Sequence, residues 1–262
     1  MKIVMTDQDG VLLDRGYKTT VAIGNFLQRL PKGIVLVPNS DTPVERISNN
    51  FFWAAGIRPE IIIGERGAVV SFCGKLYTFN NISGLQSYLK RLKQAFAGQD
   101  CDVAVGDSAT WVRDQKIFAP NRRMLIIDDL RRQSIGFYLR TTDSYGVALR
   151  DDAWFKAGCR IVKRIPLPAG IVASDFNDTY GIVIMDAAGV SKTSGYEFLL
   201  QKYPSAEFFM IGDGDADIIG SNRITHCAVA NASSKIKKAA KFVSQKTFTE
   251  GFLDCLSWIM GR

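Results

Sequence analysis

A single histidine, His226, stands in 262 residues, and that scarcity excludes a good deal. No imidazole metal cluster can form, and a nucleophile–histidine–acid triad would have to use that one ring. His226 sits in the strand-like run Ile224 to Ala230, where a packed or edge histidine is expected rather than a catalytic one. Five cysteines (Cys73, Cys101, Cys159, Cys227 and Cys255) are an odd count without a CxxC spacing. That excludes paired-cysteine metal and redox motifs and points to buried thiols in a reducing compartment. No apolar run approaches the roughly 20 residues that span a bilayer. The start, Met1 to Asp7, turns acidic too early for a secretory leader. No internal repeat or low-complexity segment is visible. At 47% apolar and 23% charged, the chain is neither disordered nor a disulfide scaffold. The expectation is a soluble, cytoplasmic protein with no membrane partner.

Charge is present, and of one prevailing sign. Lys and Arg outnumber Asp and Glu by 33 to 26, a net +7. Such an excess attracts anions: nucleic acid, an acidic membrane or phosphorylated small molecules. The basic residues are scattered in pairs, Arg122-Arg123, Arg131-Arg132 and Lys163-Arg164, with one helical stretch from Lys235 to Lys241. There is no aromatic-interleaved RNA motif and no helix-turn-helix pattern, so a solvated basic face is favoured over a nucleic-acid partner.

The flanks of the chain alternate apolar runs with helical patterns. Lys2 to Thr6 reads as a buried strand, Thr19 to Leu30 as an amphipathic helix and Gly33 to Val37 as a second strand. Thr42-Pro43-Val44-Glu45 opens a helix in the manner of a capping box, and Ile61 to Ile63 reads as a third strand. Near the C-terminus come a helix from Ser191 to Tyr203, a strand from Glu207 to Ile211 and a helical turn near Asp217. A strand from His226 to Ala230, a basic helix from Ser234 to Ala240, a short strand at Lys241 to Ser244 and a helix from Phe252 to Met260 follow. This rhythm predicts an α/β, doubly wound parallel sheet. The middle differs: after a helix from Leu85 to Phe96, strand-like runs at 124–127, 135–139, 171–173 and 181–184 have hairpin-like spacing. An α+β unit with an antiparallel sheet, residues 80–187, is therefore expected to interrupt a core made of 1–79 and 188–262.

Asp7-Gln8-Asp9-Gly10 directly follows the first strand, where ligand sites of open α/β sheets form. Two clustered carboxylates repel unless a cation or shared proton compensates, although Asp-Gly is also an ordinary turn pair. Gly212-Asp213-Gly214-Asp215-Ala216-Asp217 follows another apolar strand. A dinucleotide fingerprint fails because Asp217 stands where its third glycine belongs. An EF-hand fails because Ile218 and Ile224 occupy its glycine and glutamate positions. A site shared by these carboxylates survives, and hard oxygen donors without His or Cys suit Mg²⁺. Ser40 ends the second strand. Lys192 opens a late helix, where a lysine opposes the helix dipole unless a bound anion accounts for it.

In order and spacing, these four segments resemble the haloacid dehalogenase-like phosphatases. Gly64-Glu65-Arg66-Gly67-Ala68, the run Ala228 to Ala232 and Glu250-Gly251 resemble the Cof-like branch, with its large inserted α+β cap. The resemblance implies that Asp7 is the nucleophile, Asp9 the general acid and base, and Ser40 and Lys192 the phosphate holders. It assigns Mg²⁺ to Asp7, the Asp9 carbonyl, Asp213 and Asp217. The implied activity is hydrolysis of a small phosphorylated metabolite through an aspartyl phosphate. A phosphomutase, or a weak anion- or nucleic-acid-binding relative, are the alternatives. Two positions depart from the pattern: Ala216 replaces a usual asparagine, and Asp41 follows Ser40. The cap is expected to select substrate with one or more of Arg113, Arg122, Arg123 and Arg140 on its inward face.

Overall fold

The structure, a computed structural model, describes residues 1–14, 16, 18–79, 82–177 and 180–262. The chain begins with β1 (Lys2–Thr6), α1 (Gly24–Leu27), β2 (Ile34–Pro38), α2 (Val44–Ala55), β3 (Ile61–Gly64), β4 (Val69–Phe72) and β5 (Lys75–Thr78). Its middle holds α3 (Leu85–Ala97), β6 (Cys101–Gly106), α4 (Ser108–Arg113), β7 (Arg123–Asp128), β8 (Ile135–Thr142), β9 (Ala148–Leu149), α5 (Asp152–Val162), β10 (Ile171–Asn177) and β11 (Ile182–Ala187). It finishes with α6 (Lys192–Lys202), β12 (Glu207–Gly212), β13 (Ile224–Ala228), α7 (Ser234–Ala239), β14 (Phe242–Val243) and α8 (Phe248–Met260). Two compact units result: Met1–Phe79 with Val190–Arg262, called the core below, and Asn80–Gly189, the insert. Asn80, the expected first residue of the insert, lies outside the described residues.

The core sheet is five parallel strands in the order β14-β13-β12-β1-β2. Its central strands are apolar on both faces because helices cover both. Ile3, Met5, Val37, Phe208 and Met210 pack with Tyr196 and Leu199 of α6. The register sets Thr6 level with Ile211 on one side and Pro38 on the other. The residues that follow each strand, Asp7, Asp213 and Asn39-Ser40, therefore leave the sheet at one edge.

Three expectations for the core need correction. The strand at Ile61–Ile63 does not extend the parallel sheet: β3 heads a three-stranded antiparallel sheet, β3-β4-β5, and touches β2 through a single bridge, Asn39 to Ile63. The unforeseen hairpin β4–β5 turns on Cys73 and Gly74, both at positive φ, as a two-residue turn requires. Its aromatic residues Phe72 and Tyr77 lie 5.7 and 5.0 Å from the Phe198 ring, which fixes the hairpin against α6. The helix expected from Thr19 to Leu30 shrinks to the single turn of α1, and the segment before it is tied down by Thr20 N–H, which donates to Thr249 Oγ1 at 2.8 Å. At α2 the capping box does not form: Pro43 is the N-cap, and the Thr42 hydroxyl points to Asp9 instead.

The insert is a six-stranded sheet in the order β10-β11-β8-β7-β6, with β9 on β8. All pairs are antiparallel except β6 and β7, which run parallel because α4 connects them as a crossover. The antiparallel sheet expected for this unit is thus present, with one parallel pair at its edge. Helices α3 and α5 bury Tyr88, Phe96, Trp154 and Phe155 against Leu125, Phe137, Leu139 and Val183. Helix α5 starts where Asp151 accepts Trp154 N–H at 2.8 Å. Four cysteines are buried free thiols, as expected, whereas Cys73 is exposed at the hairpin turn. No helix of the described residues is long and apolar enough to cross a membrane.

Candidate active site

Asp7 follows β1, Asp213 belongs to the loop after β12 and Asp217 closes the short 3-10 turn Asp215–Asp217 beyond it. One carboxylate oxygen from each of the three lies within 4.8 Å of the others. Lys192, the first residue of α6, reaches them from a helix start fixed by the Ser191 cap, whose side chain and that of Ser194 satisfy each other's backbone N–H groups. Asn39 Nδ2 holds the helix start by donating to the Lys192 carbonyl at 3.1 Å. The Lys192 ammonium is buried, 2.7 Å from Asp7 Oδ2 and 2.6 Å from Asp217 Oδ1.

Backbone donors fix the remaining oxygens. Asp7 Oδ1 accepts Gln8 N–H at 2.7 Å. Asp217 Oδ2 accepts the N–H groups of Asp213 and Gly214, each at 3.0 Å. Both Asp217 oxygens are thus spent on holding Lys192 and the loop. Gly10 lies beside Asp213 at φ +83°, and a Cβ there would collide with the Asp213 carboxylate. Its carbonyl accepts Asn231 Nδ2 at 2.7 Å, and Asn231 Oδ1 in turn accepts Phe248 N–H at 3.0 Å. Ser233 N–H donates to the Asp213 carbonyl at 2.7 Å. The run after β13 that the sequence singled out is therefore a clamp on the two acidic loops.

Of the six candidate residues, four converge: Asp7, Lys192, Asp213 and Asp217. The Asp9 carboxylate stands outside the trio, against Gln8 Nε2 and Thr42 Oγ1, each at 3.4 Å. Ser40 is fully buried at the end of β2, its hydroxyl 3.4 Å from Asp41 Oδ1 and accepting Thr42 N–H at 3.3 Å. Asn39, Thr42 and Gln8 were not expected to matter, although each is a polar residue just past an apolar strand, which was the available signal. Ala216 is exposed in the 3-10 turn. His226 is buried, and its Nε2 accepts Ile219 N–H at 3.0 Å, the packed role expected for it. The arginines expected to face substrate are engaged within the insert. Arg113 pairs with Asp114, Arg122 with Asp100 and Asp102, Arg123 lies over Trp154, and Arg140 over Tyr138.

The site carries uncompensated acid. Burial, opposed in part by Lys192 and reinforced by Asp217 and Asp41, lifts the Asp7 carboxyl well above its usual range. Burial and Asp41 raise Asp9 to about 6, and burial with Asp217 does the same for Asp213. Burial disfavours charge on Lys192, but Asp217 and Asp7 outweigh it and hold the ammonium protonated. Three carboxylates around one ammonium leave a net negative centre lined by oxygen. That donor set, with no His or Cys in it, fits a hard divalent cation such as Mg²⁺.

Residues 4–256 match the model of the haloacid dehalogenase-like hydrolase family. The chain belongs to this family. A haloacid dehalogenase-like hydrolase from Bacteroides thetaiotaomicron shares the fold with a TM-score of 0.66 at 15% identity, over 98% of this chain and 99% of that one. A protein from Thermoplasma acidophilum does so with a TM-score of 0.64 at 16% identity, over 99% and 98%. A second Bacteroides thetaiotaomicron protein, described among phosphatases of the haloalkanoate superfamily, has a TM-score of 0.62 at 16% identity, over 99% and 95%. The likeness thus runs through the insert as well as the core. No curated protein matches the chain.

Proposed function

We propose that this hydrolase cleaves phosphoric monoesters of small metabolites, such as sugar phosphates or phosphoglycolate-like acids, by way of a phosphorylated Asp7. The observation that carries the reading is the meeting of Asp7, Asp213 and Asp217 around the Lys192 ammonium at the edge of the parallel sheet. In the first step a carboxylate oxygen of Asp7 forms a bond to phosphorus as the ester P–O bond breaks. Asp9, on the same loop, gives its proton to the departing alkoxide. In the second step a water attacks phosphorus and yields a proton to Asp9, the Asp7–phosphorus bond breaks, and inorganic phosphate leaves.

Preorganisation does the rest. Gln8 N–H and Lys192 fix the Asp7 carboxylate, so little orientational freedom is lost on attack. The Lys192 ammonium faces the charge that builds on the phosphoryl oxygens, and the Ser40 hydroxyl supplies a further contact from the end of β2. Asp217 keeps Lys192 in place. Asp7 and Asp213 would hold Mg²⁺, with Asp217 beside them; its contribution when bound is to neutralise charge between nucleophile and phosphate. On this reading the insert selects the substrate.

The test is a phosphate-release screen over phosphorylated metabolites, with and without Mg²⁺, with Asp7→Asn as the control. Release that needs both Mg²⁺ and Asp7 supports the reading. No release from any compound, or equal release by the control, overturns it, and phosphate moving between hydroxyls of one sugar identifies a mutase.

A further inference from the structure

A second charged site lies wholly inside the insert. Ten arginines occur between residues 80 and 189. Seven have polar or charged partners or contacts within their surroundings, among them Arg113 with Asp114, Arg122 with Asp100 and Asp102, and Arg131 with Asp128. Among the described residues, the three without a hydrogen bond or ion pair from the side chain are Arg123, Arg160 and Arg164. All three line one cavity of about 340 Å³.

The fold assembles this cavity from three places. Arg160 lies in the last turn of α5 and Arg164 one turn further on, so the two project along one side of the helix. Arg123 enters from the start of β7, its guanidinium 5.2 Å from the centre of the Trp154 ring that forms the cavity wall. Gln99, just beyond α3, adds an amide. The carboxylate in the lining, Asp151, has Oδ1 committed to the Trp154 N–H. Three guanidiniums against one carboxylate leave an excess of positive charge in a bounded hollow. A position at the C-terminal end of α5 suits the charges of Arg160 and Arg164 to the helix dipole, but it does not account for Arg123.

We propose that this cavity binds a small molecule carrying a diphosphate. Forked guanidiniums recognise phosphate oxygens in pairs, and three of them offer more donors than one phosphate can engage. The volume, at the lower end for small-molecule sites, takes a diphosphate with a compact substituent. A nucleic acid would call for a basic stripe across the surface, whereas these charges converge on one hollow. The proposal does not rest on the phosphatase reading, since none of these residues belongs to the acidic site.

The probe is methylenediphosphonate, which resists hydrolysis, titrated by calorimetry and Trp154 fluorescence with EDTA present. Trp154→Phe identifies the optical signal. The expected result is saturable binding that weakens about tenfold for each guanidinium lost, in Arg160→Gln and in Arg160→Gln/Arg164→Gln. Lys32→Gln/Lys75→Gln, which lowers the net charge equally in the core, should leave binding unchanged. Both arginines are exposed, and circular dichroism checks that the variants stay folded. Absence of binding, equal binding by the double arginine variant, equal loss in the lysine control, or tighter binding of an oligonucleotide through the same arginines would overturn the proposal.

Discussion

The core and the insert solve the same problem, burying a sheet under helices, with opposite consequences for charge. In the core, acidic side chains leave neighbouring parallel strands at one edge and are forced together, and the Lys192 ammonium offsets part of their repulsion from between Asp7 and Asp217. In the insert, arginines are mostly engaged locally, some of them buried, with three left lining one hollow. Parallel topology brings distant segments to a common edge, and hairpin topology keeps partners close in sequence. The chemistry of the core therefore depends on a few exact positions, whereas the insert depends on packing.

That contrast can be tested in descending order of effect. Asp7→Asn should abolish phosphate release, by at least roughly a thousandfold, while circular dichroism and thermal unfolding stay close to wild type. A large loss of structure in this variant would blur the distinction between the two regions. Phe137→Ala, at a fully buried position in the insert, should cost about 3–5 kcal/mol in denaturant titration while the acidic site keeps its residues. Gly10→Ala should reduce turnover by about a hundredfold, because the new Cβ displaces Asp213 from its place beside Asp7. Undiminished turnover there would show that the spacing of the acidic loops is not critical.

The smallest effect concerns His226. Burial depresses its pKa below the usual 6.5, although Asp217 opposes the shift. The unfolded chain takes up the proton more readily, so this residue's contribution to stability is complete above about pH 6.5 and falls as the pH drops below it. His226→Gln should flatten the stability profile between about pH 6.5 and 5, measured by denaturant midpoints. An unchanged slope would contradict the neutral, packed role.

The difference between the regions also governs what could be read from the amino acids. Asp7 and Asp213 were legible less from the acid that follows each strand, since Asp-Gly is also an ordinary turn pair, than from the order and spacing of all four segments together. Lys192, a lysine that opens a helix against the dipole, reads alone as a surface residue and was legible only beside the other three segments. What could not be read was how hydroxyls and amides are shared out. Thr42 had the form of a helix cap but turns to Asp9, and Asn39 had no periodic signal at all. The hairpin β4–β5 hid behind Cys73, a non-glycine residue at positive φ. In the insert, β6 is Cys101-Asp102-Val103-Ala104-Val105-Gly106, half-buried and weakly patterned, so its parallel pairing with β7 depends on tertiary context.

The central proposal is that Asp7 and Asp213 hold a divalent cation next to Lys192, with Asp217 beside them. A crystal grown with Mn²⁺ in place of Mg²⁺, measured for anomalous scattering, tests it directly. The account predicts one strong peak bounded by carboxylate oxygens of Asp7 and Asp213, lost in Asp213→Asn. Crystals of the wild-type protein with no peak at that position, and only the Lys192 ammonium between Asp7 and Asp217, would contradict it.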